Sequence, residues 1–483
     1  MMLDPESCYR ALVARDHRFD GRFFVGVKTT GIYCRPICRA RTPGRARCSF
    51  YQTAAEAEHH GFRACFRCRP ELAPGSAPVD AAPRLVSAAL SRIEAGALNE
   101  QTVDGLAAEL EITGRHLRRA MREELGVTPV ELAQSKRLAL ARQLLWESSL
   151  PVTEVALSSG FRSVRRFNAL FRSRHGRAPS ELRKARAPRE DAPTVAIALG
   201  YRPPYDWDSV LRFLAARAIP GVELIRDRRY LRTVQLGAAK GWLVVSQEVN
   251  RHALRAVVSL SLAGVLMPLA SRLRRLFDLD AHPTTIAAHL VTDPLLEGAV
   301  KARPGLRVPG AFEAFETSAR AILGQQVSVA AASTLASRLT AHFGEPIETP
   351  HPELHLLSPD PARIARASSD QIARMGITRS RAQTLRALAG AMANGALGLE
   401  TQAQPETLMA RLMEISGIGP WTASYIAMRV LGWPDAFPES DLGLRKALGG
   451  LSSRQARDRA ERWRPWRAYA VMYLWTHASG RNE

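Results

Sequence analysis

No cysteine lies beyond Cys68 in a chain of 483 residues. The absence excludes a disulfide framework, and it excludes a cysteine-held cluster, from everything that follows. Long apolar runs are missing too. The most apolar stretch, Ala256 to Ala270, is roughly 15 residues, short of the ~20 that span a bilayer. The opening "MMLDPESCYR" carries an acid before any apolar run, so no secretion signal is expected. Acidic side chains are in deficit, 46 against 67 basic ones, for a net charge of +21. The surplus is +11 over residues 1–192, +4 over 193–300 and +6 over 301–483. Every part is basic, which suits a polyanion spread along the chain. These absences describe a soluble cytoplasmic protein of three or four domains that acts on DNA and has no membrane partner.

All six cysteines fall within the first 68 residues. Four form a C-x3-C pair, Cys34 and Cys38, and a C-x2-C pair, Cys65 and Cys68. In a reducing compartment, two close pairs joined by a modest segment read as a tetrahedral zinc site. Four thiolates on Zn2+ leave a double negative charge. Arg35, Arg39, Arg41, Arg67 and Arg69 surround the pairs in sequence. Spacing alone leaves two roles open: a structural staple for a small domain, or a chemical role for one thiolate. Cys8 and Cys48 fall outside the pairing and read as plain thiols.

The stretches "FFVGVKTTGIYCRPICRAR" and "SFYQTAAEAEHHGFRACFRCRPE" closely resemble the N-terminal domain of the Ada adaptive-response regulators, over most of residues 4–72. The resemblance implies zinc held by Cys34, Cys38, Cys65 and Cys68. It makes Cys34 the nucleophile that irreversibly takes a methyl group from a methyl phosphotriester in DNA. It also implies phosphate contacts by Thr30, Arg41 and Arg67. Zinc keeps a thiol deprotonated at neutral pH, and the thiolate is the nucleophile. Methylation removes one negative charge while the arginines stay, which would raise affinity for DNA.

After a linker, "PELAPGSAPVDAAP", two segments repeat at a spacing of 50: "TGRHLRRAMREELGVTPVEL" from Thr113 and "SVRRFNALFRSRHGRAPSEL" from Ser163. Leu117, Met121, Gly126, Pro129 and Leu132 align with Phe167, Phe171, Gly176, Pro179 and Leu182. Each copy follows a shorter helix and a turn, and Thr113 and Ser163 are N-cap candidates. This reads as two helix-turn-helix units joined by a long helix through "LAQSKRLALARQLLWES". Each second helix has a basic edge, Arg115, Arg118 and Arg119, then Arg162, Arg165 and Arg166, suited to successive major grooves. Residues 84–184 resemble the AraC-type DNA-binding module, which also follows the zinc domain in Ada proteins.

A second linker, "RKARAPREDAP", ends at Pro193. Then come β-like runs, "WLVVSQEV" and "ALRAVVSLSL", a helical "WDSVLRFLAARA", and a helical remainder from residue 301. In "ISGIGPWTASYIAMRVL", Gly417-Ile418-Gly419 makes a tight turn and Pro420 starts a helix, offering backbone N–H groups to a DNA phosphate. About 20 residues on, "FPESDLGLRKAL" holds Asp441, which alone reads as a helix cap. With "YRPPYDWDSVLRFLAARAIPGVE", "ARPGLRVPGAFEAFE", "RAILGQQVSVAAA" and "ERWRPWRAYAVMYLW", residues 195–477 strongly resemble the AlkA-type 3-methyladenine DNA glycosylases. That resemblance makes Asp441 the catalytic acidic residue, a carboxylate that stabilises oxocarbenium character at the sugar. It matches Trp421, Tyr425 and Trp475 to aromatics lining the base pocket, and Gln326 to the family's leucine wedge. Trp421 stands where lyase-competent relatives carry a lysine, so a monofunctional glycosylase is expected. With no cysteine after Cys68, neither an iron–sulfur site nor an alkylguanine transferase domain is expected.

The fold class expected is thus multidomain and mainly α. A four-cysteine zinc α/β domain (1–80) precedes an AraC-type double helix-turn-helix (84–186). A TATA-binding-protein-like α/β domain (193–300) and an all-α helix-hairpin-helix glycosylase domain (301–483) follow. The function expected is an alkylation-damage protein that senses methyl phosphotriesters, activates transcription and excises alkylated purines. Its partners would be double-stranded DNA, both alkylated and promoter sites, and RNA polymerase, met as a monomer. The competing reading is a regulator with an idle C-terminal half.

Overall fold

The computed structural model describes residues 4–75, 84–184, 194–399 and 404–479. Most of both expected linkers, residues 76–83 and 185–193, lies outside the described residues. The chain divides into two compact units: residues up to 203 with 245–271, and 204–244 with 272 onward. No helix among the described residues is long and apolar enough to cross a membrane.

The first unit begins with a helix, Pro5–Ala14, which Asp4 caps by accepting from the Glu6 and Ser7 N–H groups at 3.0 Å. A small sheet follows. Its strands lie in the order Cys48–Tyr51, Phe24–Val27, Ile32–Cys34, Arg63–Ala64. The first three are antiparallel and the last is parallel to its neighbour. Two helix-turn-helix units come next. Helix Val103–Glu109 leads to the first recognition helix, Gly114–Leu125, and helix Val152–Ser158 to the second, Val164–His175. The caps explain the shared start points: Thr113 accepts from the His116 N–H at 3.2 Å and Ser163 from the Arg166 N–H at 3.3 Å. Both helices end on a glycine at positive φ, Gly126 at 72° and Gly176 at 69°, as a left-handed C-cap requires. The linking helix, Pro129–Glu147, opens with a capping box between Thr128 and Glu131.

The zinc-type module packs on that linking helix. Phe66 stacks on Trp146 at 6.5 Å, and Arg69 lies between Glu71 at 2.9 Å and Glu147 at 2.7 Å. The unit also holds the antiparallel pair Thr194–Gly200 and Ala253–Ser259, tied to the linking helix by the Gln143 amide donating to the Ala198 carbonyl at 2.7 Å.

The second unit contains the antiparallel pair Glu223–Arg226 and Arg229–Leu236 and the helix Trp207–Ala215, capped by Asp206. Its main core is helical, built from the buried faces of Ala314–Leu323, Val329–Phe343, Arg379–Ala393, Pro405–Met413 and Pro420–Arg429. The expectation of an all-helical chain from 301 needs one correction: residues Glu345–Pro346 and Leu356–Leu357 form a two-residue antiparallel ladder. Its cause is local: Gly344 ends the preceding helix in extended backbone, and a turn in which the Thr349 hydroxyl bonds the His351 and Leu354 carbonyls at 2.8 and 2.7 Å brings the chain back.

Each recognition helix hangs on two fully buried apolar side chains one turn apart, Leu117 and Met121 in the first and Phe167 and Phe171 in the second. Phe167 meets Phe161 at 5.1 Å and Phe171 at 5.5 Å. Phe167→Ala is therefore expected to lower the unfolding free energy of this unit by about 3–5 kcal/mol. Arg165→Ala, on the exposed face of the same helix, should stay within about 0.5 kcal/mol of wild type. Denaturant titration of both variants gives the comparison.

Candidate functional site

The register of the small sheet assembles the cysteines. Tyr33 pairs with Ala64 in the parallel ladder, and the Cys65 N–H donates to the Tyr33 carbonyl at 3.0 Å. Cys34, ending one strand, and Cys65, just past the end of the next, therefore emerge side by side. Cys38 returns through a turn closed by its N–H on the Arg35 carbonyl at 3.1 Å. All four Sγ atoms lie within 4.8 Å of one another. A tetrahedron with bonds of ~2.3 Å has edges of ~3.8 Å, so this donor set fits one thiophilic cation. The Arg35 and Arg67 N–H groups donate to Cys68 and Cys65 Sγ at 3.4 Å, contacts that favour charged sulfur. Cys34, Cys38 and Cys65 are buried, whereas Cys68 is only half-buried.

The arginines around the cluster divide into two kinds. Arg35 is buried, ion-paired with Asp20, and donates to the Cys68 carbonyl at 3.2 Å. Arg69 is held by Glu71 and Glu147. Arg39, Arg41 and Arg67 are exposed, as is Thr30, whose hydroxyl donates to the Val27 carbonyl at 3.4 Å. Three arginines, not five, are thus available to a ligand at this surface. Cys8 and Cys48 stand apart in an apolar core with Phe23 and Val25, where burial pushes both thiols up, Cys8 to about 11.

On the recognition helices and the turn before the second, Arg115, Arg118, Arg119, Arg162, Arg165 and Arg166 are all exposed. Arg118 pairs with Asp104 at 3.4 Å, Arg119 with Glu123 at 3.9 Å, and Arg162 donates to the Glu100 carbonyl at 3.1 Å. Arg115, Arg165 and Arg166 form no ion pair among the described residues.

In the second unit a separate constellation surrounds Asp441. Helix Pro405–Met413, a turn through Gly417 and Gly419, and helix Pro420–Arg429 form the hairpin. Gly417 is exposed at φ 91°, and Gly419 caps the second helix without any side-chain bond, leaving its first N–H groups open. Trp421 and Tyr425, one turn apart, stack at 5.5 Å with planes 19° apart, and Tyr425 meets Trp475 of helix Arg467–Ser479 at 6.4 Å. Asp441 does cap helix Leu442–Ala447, with Oδ1 accepting from the Leu444 N–H at 2.8 Å. The same carboxylate accepts from both indoles, Trp475 Nε1 on Oδ1 and Trp421 Nε1 on Oδ2, each at 3.0 Å. Cap and site residue are one group. All three donors are neutral, and no lysine or arginine pairs with Asp441 among the described residues, so its charge faces the aromatic cleft uncompensated.

Gln326 is exposed at φ 54°, a left-handed position, at the tip between helices Ala314–Leu323 and Val329–Phe343, beside the exposed Val327. Its neighbour Gln325 joins this tip to the hairpin. The Gln325 amide donates to the Gly417 carbonyl at 2.8 Å and to Thr422 Oγ1 at 2.9 Å. Gln325 was missed in the sequence because nothing local separates it from Gln326. Gly443 was missed as well: a Cβ there would come within 3.2 Å of Asp441 Oδ1 and 3.7 Å of the Trp475 ring.

Comparison with known proteins gives four family matches in chain order. They are the metal binding domain of Ada over residues 7–71, a helix-turn-helix domain over 106–185, the AlkA N-terminal domain over 196–313, and the HhH-GPD superfamily base excision DNA repair protein over 319–465. A probable bifunctional transcriptional activator/DNA repair enzyme AlkA of Mycobacterium tuberculosis is 40% identical over 482 residues, covering 98% of this chain and 96% of that one. DNA-3-methyladenine glycosylase 2 of Escherichia coli is 38% identical, covering 57% of this chain and 95% of its own. A solved 3-methyladenine DNA glycosylase from Archaeoglobus fulgidus shares the fold, with TM-score 0.52 at 21% identity over 59% of this chain and 98% of that one.

A side chain at Gly417 would meet Thr384, since a Cβ there lies 2.1 Å from Thr384 Oγ1. Gly417→Ala adds the left-handed penalty to that clash and is expected to cost roughly 1–3 kcal/mol in denaturant titration. Duplex affinity should fall with it. Thr384→Ala in the same chain should restore part of both losses, because it removes the clashing oxygen but not the backbone strain.

Proposed function

Because the chain belongs to the family of bifunctional transcriptional activator/DNA repair enzymes, in which an Ada-type metal-binding module is joined to an AlkA-type glycosylase, we propose that it excises alkylated purines such as 3-methyladenine from DNA by hydrolysis. The observation that carries this reading is the Asp441 carboxylate, bonded to both pocket indoles and neutralised by neither.

A purine alkylated at N3 or N7 carries a positive charge and is already a good leaving group. The enzyme's work is to flip it from the stack and hold it. Trp421, Tyr425 and Trp475 offer electron-rich faces to the cation. The hairpin N–H groups at Gly417 and Gly419 grip a backbone phosphate, and the Gln326 tip enters the gap left by the base. As the glycosidic bond breaks, its electron pair goes to the base, which leaves neutral. Asp441 stabilises the positive sugar. Water then adds at C1′ and its proton passes through the carboxylate to solvent. Asp441→Asn keeps the helix cap but removes the charge, and should cost on the order of a hundredfold or more in the rate of base release. The measure is 3-methyladenine freed from methylated duplex, with DNA binding retained and no strand cut. Wild-type release from the Asn variant would sink the assignment.

At the other end, the four-cysteine cluster supports a metal-held methyl acceptor. Zinc, bound by Cys34, Cys38, Cys65 and Cys68, would supply thiolates at neutral pH. Cys34 Sγ attacks the methyl carbon of a methyl phosphotriester. A C–S bond forms as the C–O bond breaks, and the electron pair stays on the phosphodiester oxygen. Thr30, Arg41 and Arg67 hold that phosphate. The loss of one negative charge beside Arg39, Arg41 and Arg67 then raises promoter affinity through the two recognition helices. Metal analysis should give one zinc per chain. Peptide mass spectrometry after reaction with methylated DNA should find the methyl on Cys34. A methyl on Cys68, the most exposed of the four, would reassign the nucleophile.

A further inference from the structure

Behind the aromatic pocket of the second unit lies a buried set of charges. Arg232 contacts Glu316 at 3.1 Å and Glu223 at 3.9 Å, and Arg320 contacts Glu223 at 2.9 Å and Glu316 at 3.7 Å. The Tyr230 hydroxyl donates to Glu223 at 2.6 Å. These two carboxylates are therefore taken up by two guanidiniums. Arg429 is left out of the exchange. It is 5% exposed and donates to the Pro309 and Gly310 carbonyls and, at 2.7 Å, to the Tyr425 hydroxyl. Its plane lies over Phe213 at 4.6 Å. No carboxylate pairs with it among the described residues.

A buried guanidinium does not shed its proton, and leaving it without a counter-charge costs several kcal/mol. Tyr425 is the ionisable group it touches. The Tyr425 oxygen accepts from Arg429, Arg217 acts on it electrostatically, and no described residue accepts its proton. Burial of the phenol pushes its pKa up, but Arg429, Arg217 and Arg320 outweigh that and bring it below the ordinary tyrosine value. The charged groups facing it are these three arginines, with Glu223, Glu316 and Arg232 behind them and Asp441 across the Trp421 ring.

We propose that Tyr425 works in the base pocket as a phenolate and that Arg429 is the positioning residue that keeps it so. This rests on Tyr425 lining the pocket, as in the function proposed above. The phenolate oxygen sits against Arg429 at 2.7 Å, behind the Trp421–Tyr425 stack, and its charge makes the ring face that lines the pocket more electron-rich, so that the pocket prefers a positively charged purine to a neutral one. Asp441 stabilises the sugar, while Tyr425 sets which bases are held.

The sign of the pH dependence follows. Below the pKa of Tyr425 the ring is neutral and discrimination rests on aromatic faces alone. As pH rises through that value the preference for a cation grows. One charge a ring's width from the bound base, partly offset by Arg429, is worth about tenfold.

The test uses the full chain. The ultraviolet difference spectrum of wild type minus Tyr425→Phe should show a tyrosinate forming at lower pH than the other eight of the nine tyrosines. Arg429→Gln should move that transition up, and Arg429→Lys should return it part of the way. Single-turnover release of 3-methyladenine should rise with pH across the same transition, by about tenfold relative to release of the neutral 1,N6-ethenoadenine. Tyr425→Phe should flatten the ratio. A Tyr425 that titrates with the other tyrosines overturns the proposal, whatever the activity. A low-pH tyrosinate with a ratio unchanged in Tyr425→Phe overturns it too, by removing Tyr425 from base selection, and leaves the role of Asp441 to stand or fall on its own variant.

Discussion

A carboxylate bonded only to neutral donors organises the catalytic half of this protein. In a chain with a net charge of +21, Asp441 nonetheless pairs with no lysine or arginine among the described residues. Asp441 is shielded by being spoken for. A backbone N–H and two indoles occupy its lone pairs, so its charge is held in place without being cancelled. That arrangement constrains the rest. Trp421 must project from the hairpin helix and Trp475 from the C-terminal helix to the same point. A side chain at Gly443 would press on Asp441 Oδ1 and the Trp475 ring, and the hairpin must stay closed against the Gln325 tip. Each is a condition on packing between elements far apart in the chain.

The first unit solves a similar problem with sulfur. Four thiols crowd within 4.8 Å because a parallel strand pair delivers Cys34 and Cys65 to one edge. The nearby arginines are not uniform. Arg35 and Arg69 bind carboxylates and tie the module together, and Arg69 also reaches Glu147 on the helix linking the two helix-turn-helix units. Arg39, Arg41 and Arg67 remain at the surface, where a change of one charge on the cluster would be felt by a bound phosphate. Within this unit the four-cysteine module and the helix that joins the two helix-turn-helix units thus share a charged, largely buried contact.

Much of this architecture was legible in the amino-acid order. The two cysteine pairs, the 50-residue repeat with its caps at Thr113 and Ser163, the Gly417–Gly419 turn and Asp441 are all local patterns. Such patterns carry information because their physics is local: a cap needs a hydroxyl within three residues of the N–H it satisfies, and a helix shows its apolar face every three or four residues. Asp441 reads locally as a helix cap, and the fold adds what that neighbourhood could not show: the same carboxylate also holds both indoles.

What tertiary structure alone decided is which polar groups meet. Nothing in "CRPIC" tells that Arg35 turns inward to Asp20 while Arg39 stays in water, because the partner lies 15 residues away on another element. Nothing in "GQQVS" separates Gln325, which grips the hairpin 92 residues on, from Gln326, which grips nothing described. Arg429 sits at helical spacing from Trp421 and Tyr425, so its face was readable, yet its lack of a carboxylate depends on Glu223 and Glu316 being claimed by Arg232 and Arg320. The amino-acid order by itself determined the elements, their caps and the types of residue available for chemistry. The fold determined the pairing of charges, since a buried charge is settled by whichever partner the packing brings within about 4 Å, and that distance has no counterpart in sequence separation.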